Sequence, residues 1–390
     1  MPSATGWSAN SGARAEGLTD PRAIRRAGRD LLSLAFLDAR NRLLMQLAQD
    51  ESGAALRIAV QAGWYQDHWI ARHLQRQRGE ACDADAPRLA GIEAQADAWA
   101  AGHVAMPAPE VLRSYLAETL EITLDLLAAS AEDDAALHYY RLSLLHEDRL
   151  GEALAERLLP GAPPTRAERA PIWLPAQRWL LGSAPGGLVP HNERWAHEVS
   201  VPEFEIDAQA VNWARMVEFA DDGGYDRAEL WSEAGWDWVR AQGRRAPGHV
   251  EQLHGGVLVQ RGHGSSARLT RAPAAQAAMH VSRYEADAWC RWAGRRLPTE
   301  AEWEIAAHAG ASRGFAWGDV YEWTAGSARA WPGAGRPSPG ALDPVPRPGT
   351  RGVLRGASFA TQPRWAHPKA RRFATPERDT MFCGFRSCAL

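Results

Sequence analysis

From Asp20 to about Leu159, apolar residues return every three or four positions, the mark of helices that bury one face. Asp20-Pro21 reads as an N-cap with proline at the first helical position. Ile24, Leu31, Leu34, Leu37, Leu43, Leu44 and Leu47 follow at mixed spacings of three and four. The spacing predicts a second helix from about Ala54 to Arg78, with Ile58, Gln61, Tyr65, Trp69 and Leu74 along one side. A third starts near Pro109 and carries Leu112, Tyr115, Leu116, Thr119, Ile122, Thr123 and Leu126. A fourth runs from about Asp134 to Leu159. Four helices with polar connections predict a bundle, whose facing side chains can build a metal site in the core.

The periodicity stops at Pro160-Gly161-Ala162-Pro163-Pro164-Thr165, and residues 161–171 read as a linker between two domains. Residues 20–160 are then the helical domain and 172–390 the second. Residues 1–19 lack an apolar signal region and, being polar and rich in Gly, Ala and Ser, are expected to be a disordered lead-in. Past the linker, short apolar stretches are broken by Gly, Pro and Asn. A helix is expected around Trp213 to Phe219, and a pair meets near Leu297-Pro298-Thr299-Glu300-Ala301-Glu302-Trp303. There Thr299 and Glu302 have capping-box spacing, so a helix starts at Thr299. Gly223-Gly224-Tyr225 reads as a turn with unusual backbone angles. No internal repeat is present.

Tryptophan outnumbers each other aromatic residue, 18 against 8 Phe and 7 Tyr, and most lies after residue 170. In irregular folds large rings compensate for missing regular packing, so Trp231, Trp236, Trp238, Trp292, Trp303 and Trp323 are expected in the core. A net charge of -3 offers no basic field for nucleic acid, and no apolar run is long enough to span a bilayer. Cys82, Cys290, Cys383 and Cys388 show no CxxC spacing and no disulfide framework, so a reducing cytoplasm is expected.

The C-terminal half resembles the formylglycine-generating-enzyme-like domain, a compact fold related to C-type lectins. The matching text is LLGSAPGG (180–187), DDGGYDRAELWSEAGWDW (221–238), VSRYEADAWCRWAGRRLPTEAEWEIAA (281–307), WGDVYEWT (317–324), VLRGASFAT (353–361) and FCGFRSCA (382–389). The N-terminal half resembles the DinB-like four-helix domain fused to that fold in the ergothioneine-biosynthesis sulfoxide synthases, through GWYQDHWIARHLQRQRG (63–79), DADAPRL (83–89) and LLHEDRLGEAL (144–154). RRFATPERDTMFCGFRSCAL (371–390) is closer to the selenoneine synthases, which share the architecture. The resemblance implies an α+β chain in which Fe(II), held by three histidines, activates O2 to join a sulfur or selenium donor to the imidazole of hercynine. Three imidazoles leave coordination positions open for oxygen and donor.

Residue by residue the chain departs from that pattern. His146 matches the first histidine of a His-Glu-x-x-His pair whose i, i+4 spacing puts both rings on one face, but the second position is Leu150. The ligand expected three residues before Trp64 is Gln61. One imidazole thus stands beside a weak oxygen donor and an apolar residue. His68 lies two turns from Gln61, roughly 10 Å along the helix, His138 two turns from His146, and His73 is expected at an exposed helix end. A buried, hydrogen-bonded His146 facing the interdomain cleft, on a stripe with Leu142 and Leu150, needs no metal. The segment 325–352, where the resemblance implies a catalytic tyrosine, contains none. Arg372-Phe373-Ala374 lacks the acid expected to hold a substrate ammonium, which leaves Arg372 and an aromatic box of Phe373 and Trp365 as substrate contacts.

Formylglycine generation needs a copper-binding cysteine pair, and those positions hold Thr361 and Ala366, which cannot bind Cu(I). Asp319 replaces an Asn near a structural Ca(II) site of relatives and is a candidate oxygen ligand. The Arg25-Arg26 pair and the cluster Arg72, Arg76 and Arg78 are most simply solvated helix faces. Two functions follow. One is a non-haem iron synthase of the sulfoxide or selenoneine type with a degenerate iron site, acting on a hercynine-like molecule and a thiol or selenium donor. The other is a catalytically inactive relative, a binding or partner subunit that recognises a small molecule, a paralogue or a second copy of itself. An enzyme using another metal or none, with His146, Glu147 and Asp148 as polar groups of the cleft, is a third.

Overall fold

The computed structural model describes residues 16–390; the lead-in expected to be disordered lies, through residue 15, outside the described residues, and residues 16–19 are helical. Asp20 caps α1 (Pro21–Arg25), accepting from the Arg22 amide at 2.8 Å. The helix expected to run on to Leu47 breaks, and Gly28 caps a new helix, α2 (Arg29–Leu47). The break frees α1 to serve the second domain: the Arg25 carbonyl accepts from the Leu188 amide and its guanidinium pairs with Glu193, so Arg25, expected on a solvated face, is buried instead.

Helix α3 (Gly53–Gln66) starts on the Ser52 cap and passes into one wider turn, Asp67–Ala71, where the Arg72 amide reaches back five residues to the Asp67 carbonyl. It therefore ends well before Arg78. The chain then turns through Gly79, where φ is 53° and a Cβ would lie 2.7 Å from the Ala135 carbonyl oxygen, which leaves no room for a side chain. The short α4 (Ala96–Ala101) precedes α5 (Pro109–Ala128) and α6 (His138–Leu158). Asp134 lies before α6, where its carboxylate accepts from Arg141 and from the Gly187 amide. Helices α2 and α3 stand diagonally opposite, each packed on both α5 and α6. Inside this bundle the buried Arg40 of α2 donates to Glu147 of α6 at 2.6 Å and to Gln66 of α3 at 3.0 Å, and Gln66 donates to Glu147 at 2.7 Å.

The second domain holds four small sheets. β1 (Ile172–Leu174) pairs with β4 (Phe204–Ile206), and β2 (Gln177–Leu181) with β3 (His197–Val201), both antiparallel. β5 (Val250–Gln252), β6 (Leu258–Arg261) and β7 (Arg268–Arg271) form the third. The fourth has the order β10 (Arg371–Ala374), β9 (Gly352–Arg355), β8 (Tyr321–Ser327), β11 (Cys383–Phe385), with only β8 and β11 parallel. Around them lie α7 (Trp213–Asp221), α8 (Glu233–Gln242), α9 (Arg283–Trp292) and α10 (Glu300–Ala309). Thr299 and Glu302 close the expected capping box on α10, whereas α8 was not marked by the sequence pattern.

Trp213, Trp303 and Trp323 are fully buried, and Trp231 nearly so; Trp236, Trp238 and Trp292 pack half-buried against the same core. Gly223 takes the expected left-handed turn at φ 76°. The two domains share a wall. Ala155 and Leu159, at the end of α6, belong to the second domain's core, while Leu188 and Trp365 belong to the bundle's. All four cysteines are buried and unpaired, and no helix among the described residues is long and apolar enough to cross a membrane.

The segment after α6 is tied along the second domain. Pro163 accepts from Gln276 at 2.6 Å, Arg169 donates to the Gly314 carbonyl at 2.7 Å, and Arg166 pairs with both carboxylate oxygens of Asp319. Asp319 is therefore not free to bind Ca(II): a guanidinium fills the place of the cation. Arg166→Ala leaves a buried carboxylate without its partner, a loss of about 1–3 kcal/mol, and releases this segment. Limited proteolysis should then cut within residues 160–171 several-fold faster than in wild type; an unchanged cutting rate would show that the pair is no tether.

Candidate functional site

Helix α6 presents Leu145, Asp148, Arg149, Glu152 and Glu156 at spacings of three and four, so all five share one face. The first four line a cleft between the domains, whose far wall includes Tyr321 of β8, Thr361, Trp365 and Arg372 of β10. The cleft encloses about 460 Å³ counting its open mouth, but only about 30 Å³ of it admits a water-sized sphere. Its polar side chains are bonded to one another.

The His-Glu-Asp triplet fans out in three directions. Glu147 turns into the bundle to Arg40 and Gln66. Asp148 crosses to the second domain, accepting from Arg364 at 2.6 and 2.9 Å and from the Trp365 indole at 2.7 Å. His146 lies against Tyr65, ring centroids 4.7 Å apart, and makes no hydrogen bond among the described residues. Burial, reinforced by Arg149, pushes its pKa down to about 4. It is a neutral, largely buried imidazole, but not the hydrogen-bonded one expected.

One turn further on, Glu152 accepts from the hydroxyls of Ser358 at 2.6 Å, Thr361 at 2.7 Å and Tyr321 at 2.9 Å. Tyr321 was missed because it precedes the segment in which a tyrosine was sought; burial and then Glu152 push its phenol well up. Arg372 reaches the Tyr321 hydroxyl at 3.4 Å, lies 3.5 Å from Glu152 and 3.8 Å from Asp343, and Arg149 lies 2.7 Å from Asp343. Among the described residues the ion-pair partner of Glu156 is the distant Arg378, at 3.6 Å; burial and then the neighbouring Glu152 raise its carboxyl to about 7. The i, i+4, i+8 run Asp148, Glu152, Glu156 was the signal available for this acidic face.

The other expected site residues do not converge. Gln61 donates its amide to the Ala100 carbonyl at 2.8 Å, and Leu150 packs with the apolar residues of the bundle. Neither completes a ligand set with His146, and among the described residues no group of three His, Cys, Asp or Glu side chains could hold a metal ion. His68 stacks on Trp64 at 4.7 Å; His73, expected at the surface, is fully buried against Trp69. His138 is buried beside Glu80. The donor set around His146 does not fit Fe(II), because one of its three positions is hydrocarbon and another is a neutral amide already bonded.

The aromatic box is not assembled either. Alternation along β10 puts Arg372 and Ala374 on one face and Arg371 and Phe373 on the other, and the Arg371 guanidinium covers the Phe373 ring at 5.0 Å. Trp365 spends its indole N–H on Asp148 and joins the two domains. Of the substrate contacts expected from the sequence, Arg372 is in the cleft with its charged end toward Glu152 and Asp343.

A helical bundle joined to this irregular, tryptophan-rich domain defines the class, and residues 159–319 match the model of the sulfatase-modifying factor enzyme 1-like domain. The chain is 31% identical to the hercynine oxygenase of Mycolicibacterium smegmatis, over 71% of its own length and 77% of that protein. It is 30% identical to the hercynine oxygenase of Mycobacterium tuberculosis, over 73% and 80% of the two. The formylglycine-generating enzyme of Streptomyces coelicolor is 36% identical over a shorter stretch, 41% of this chain and 54% of that one. The chain belongs to the hercynine oxygenase family, the ergothioneine-type sulfoxide synthases.

The Glu156 carboxyl generates a pH dependence. Its folded pKa of about 7 lies above the ordinary 4.5, so folding favours the protonated form. Its contribution to stability is complete below pH 4.5 and is lost as the pH rises through about 7. Glu156→Gln, neutral at every pH, should be more stable than wild type at pH 8 by about 1–3 kcal/mol. The gap should close toward pH 4.5, as read from urea unfolding; equal stabilities at pH 8 would place Glu156 in water rather than in the protein.

Proposed function

We propose that this chain is a member of the hercynine oxygenase family whose interdomain cleft, closed in this structure by its own bonded side chains, opens to bind a small polar molecule without iron-dependent chemistry at the His146 position. The observation that carries this reading is the donor set: Gln61 is bonded to Ala100 and Leu150 is packed in hydrocarbon, which leaves one imidazole. The names of the curated relatives support a hercynine-like ligand. The polar lining supports recognition of a charged molecule, with Arg149 and Arg372 able to meet an anionic group and Glu152 a cationic one. The substitutions fall on groups that would do chemistry, while the cleft's walls keep their partners.

A second reading is the O2-dependent synthase that forms a C–S or C–Se bond on hercynine. The neutral His146, which makes no hydrogen bond among the described residues, favours it, since a free imidazole nitrogen is what a metal needs. Metal analysis separates the two. Protein purified anaerobically with added Fe(II) should hold far less than one iron per chain. Gln61→His combined with Leu150→His should bind Co(II) much more tightly than wild type. Without metal the double variant should lose about 1–3 kcal/mol, for buried polar groups without partners, and regain it when Co(II) is added. Wild type binding metal as tightly as the double variant would overturn the proposal.

A further inference from the structure

Arg149 comes from α6 and Arg372 from β10, yet both guanidiniums approach one carboxylate, Asp343, at 2.7 and 3.8 Å. Among the described residues Asp343 is the ion-pair partner of Arg149. Asp343 lies in the segment 328–351, which has no helix or strand. Where it crosses the bundle this strap makes two hydrogen bonds, from the Tyr65 hydroxyl to the Gly340 carbonyl at 2.7 Å and from the Tyr139 hydroxyl to the Pro339 carbonyl at 3.2 Å, and Leu342 packs on the bundle core; nearer its start Trp331 is buried under Arg371. Asp343 itself sits in the left-handed region, at φ 49°, and its side chain keeps 33% of its exposure.

Two arginines from different domains that share one acid on a strap without helix or strand are arranged as an anion-binding fork. We propose that Arg149 and Arg372 form a carboxylate subsite of the cleft and that Asp343 is its built-in occupant, displaced when a carboxylate-bearing small molecule binds. Displacement exchanges one carboxylate for another on the same pair of guanidiniums, so the buried charges stay compensated. It also releases the strap, so that ligand binding and strap opening become one equilibrium. The apparent affinity of wild type is reduced by the fraction of molecules in which Asp343 holds the fork.

The inference rests on the cleft-binding reading above, and hercynine, which carries a carboxylate, serves as the probe. By calorimetry Asp343→Asn should bind it at least about fivefold more tightly than wild type, since the competing carboxylate is gone. Asp343→Glu, which retains the charge, should bind no more tightly than wild type. A decarboxylated analogue of hercynine should gain nothing from Asp343→Asn. Hydrogen exchange across residues 338–345 should rise when hercynine binds wild type, toward the level of unliganded Asp343→Asn. Equal or weaker binding by Asp343→Asn, a similar gain for the decarboxylated analogue, or strap exchange unmoved by bound hercynine would each overturn the displacement while leaving cleft binding in place. Binding by neither wild type nor Asp343→Asn would overturn both.

Discussion

The carboxylates of α6 must be compensated on two sides at once, and that requirement sets how the domains meet. A buried charge stripped of its partner costs about 3–5 kcal/mol, and α6 carries Glu147, Asp148 and Glu152 within six residues, all nearly buried. Only Glu147 finds its partners inside the bundle, in Arg40 and Gln66. Asp148 and Glu152 are satisfied by Arg364, Trp365, Tyr321, Ser358 and Thr361, every one of them from the second domain. The bundle therefore cannot present α6 to water without losing these bonds. The two cores meet along one helix, with Ala155 and Leu159 belonging to one and Leu142 and Leu145 to the other.

Much of this was legible in the sequence, for a physical reason. Helices α5 and α6 and the α10 cap are determined by neighbours three and four residues away, which a linear reading captures. The break at Gly28 and the wide turn at Asp67 are not local: the first frees Arg25 to reach Glu193, 168 residues on. For the site, counting along the helices located His146, Gln61 and Leu150. It could not show that Asp343 meets Arg149, or that Tyr321 reaches Glu152 across 169 residues. Phe373 and Arg372 are adjacent in sequence, and only the pairing of β10 with β9 decides which of them faces the cleft. Asp319 was read as an oxygen ligand because nothing local revealed Arg166, 153 residues earlier, as its counterion.

The interface does not depend on the His146 position. Glu152 with its three hydroxyl donors, and Asp148 with its clamp, hold the domains together through bonds of their own. Gln61 and Leu150 take no part in those bonds, so an imidazole at either position would leave them undisturbed. The polar side chains that hold the interface together are thus distinct from those at the His146, Gln61 and Leu150 positions.

The central claim is that the cleft recognises its ligand without iron. Calorimetric titration of hercynine into chelator-treated protein, repeated anaerobically with an equivalent of Fe(II), tests this directly. The account predicts saturable binding with the same affinity in both titrations. Binding that appears only with Fe(II) would contradict it.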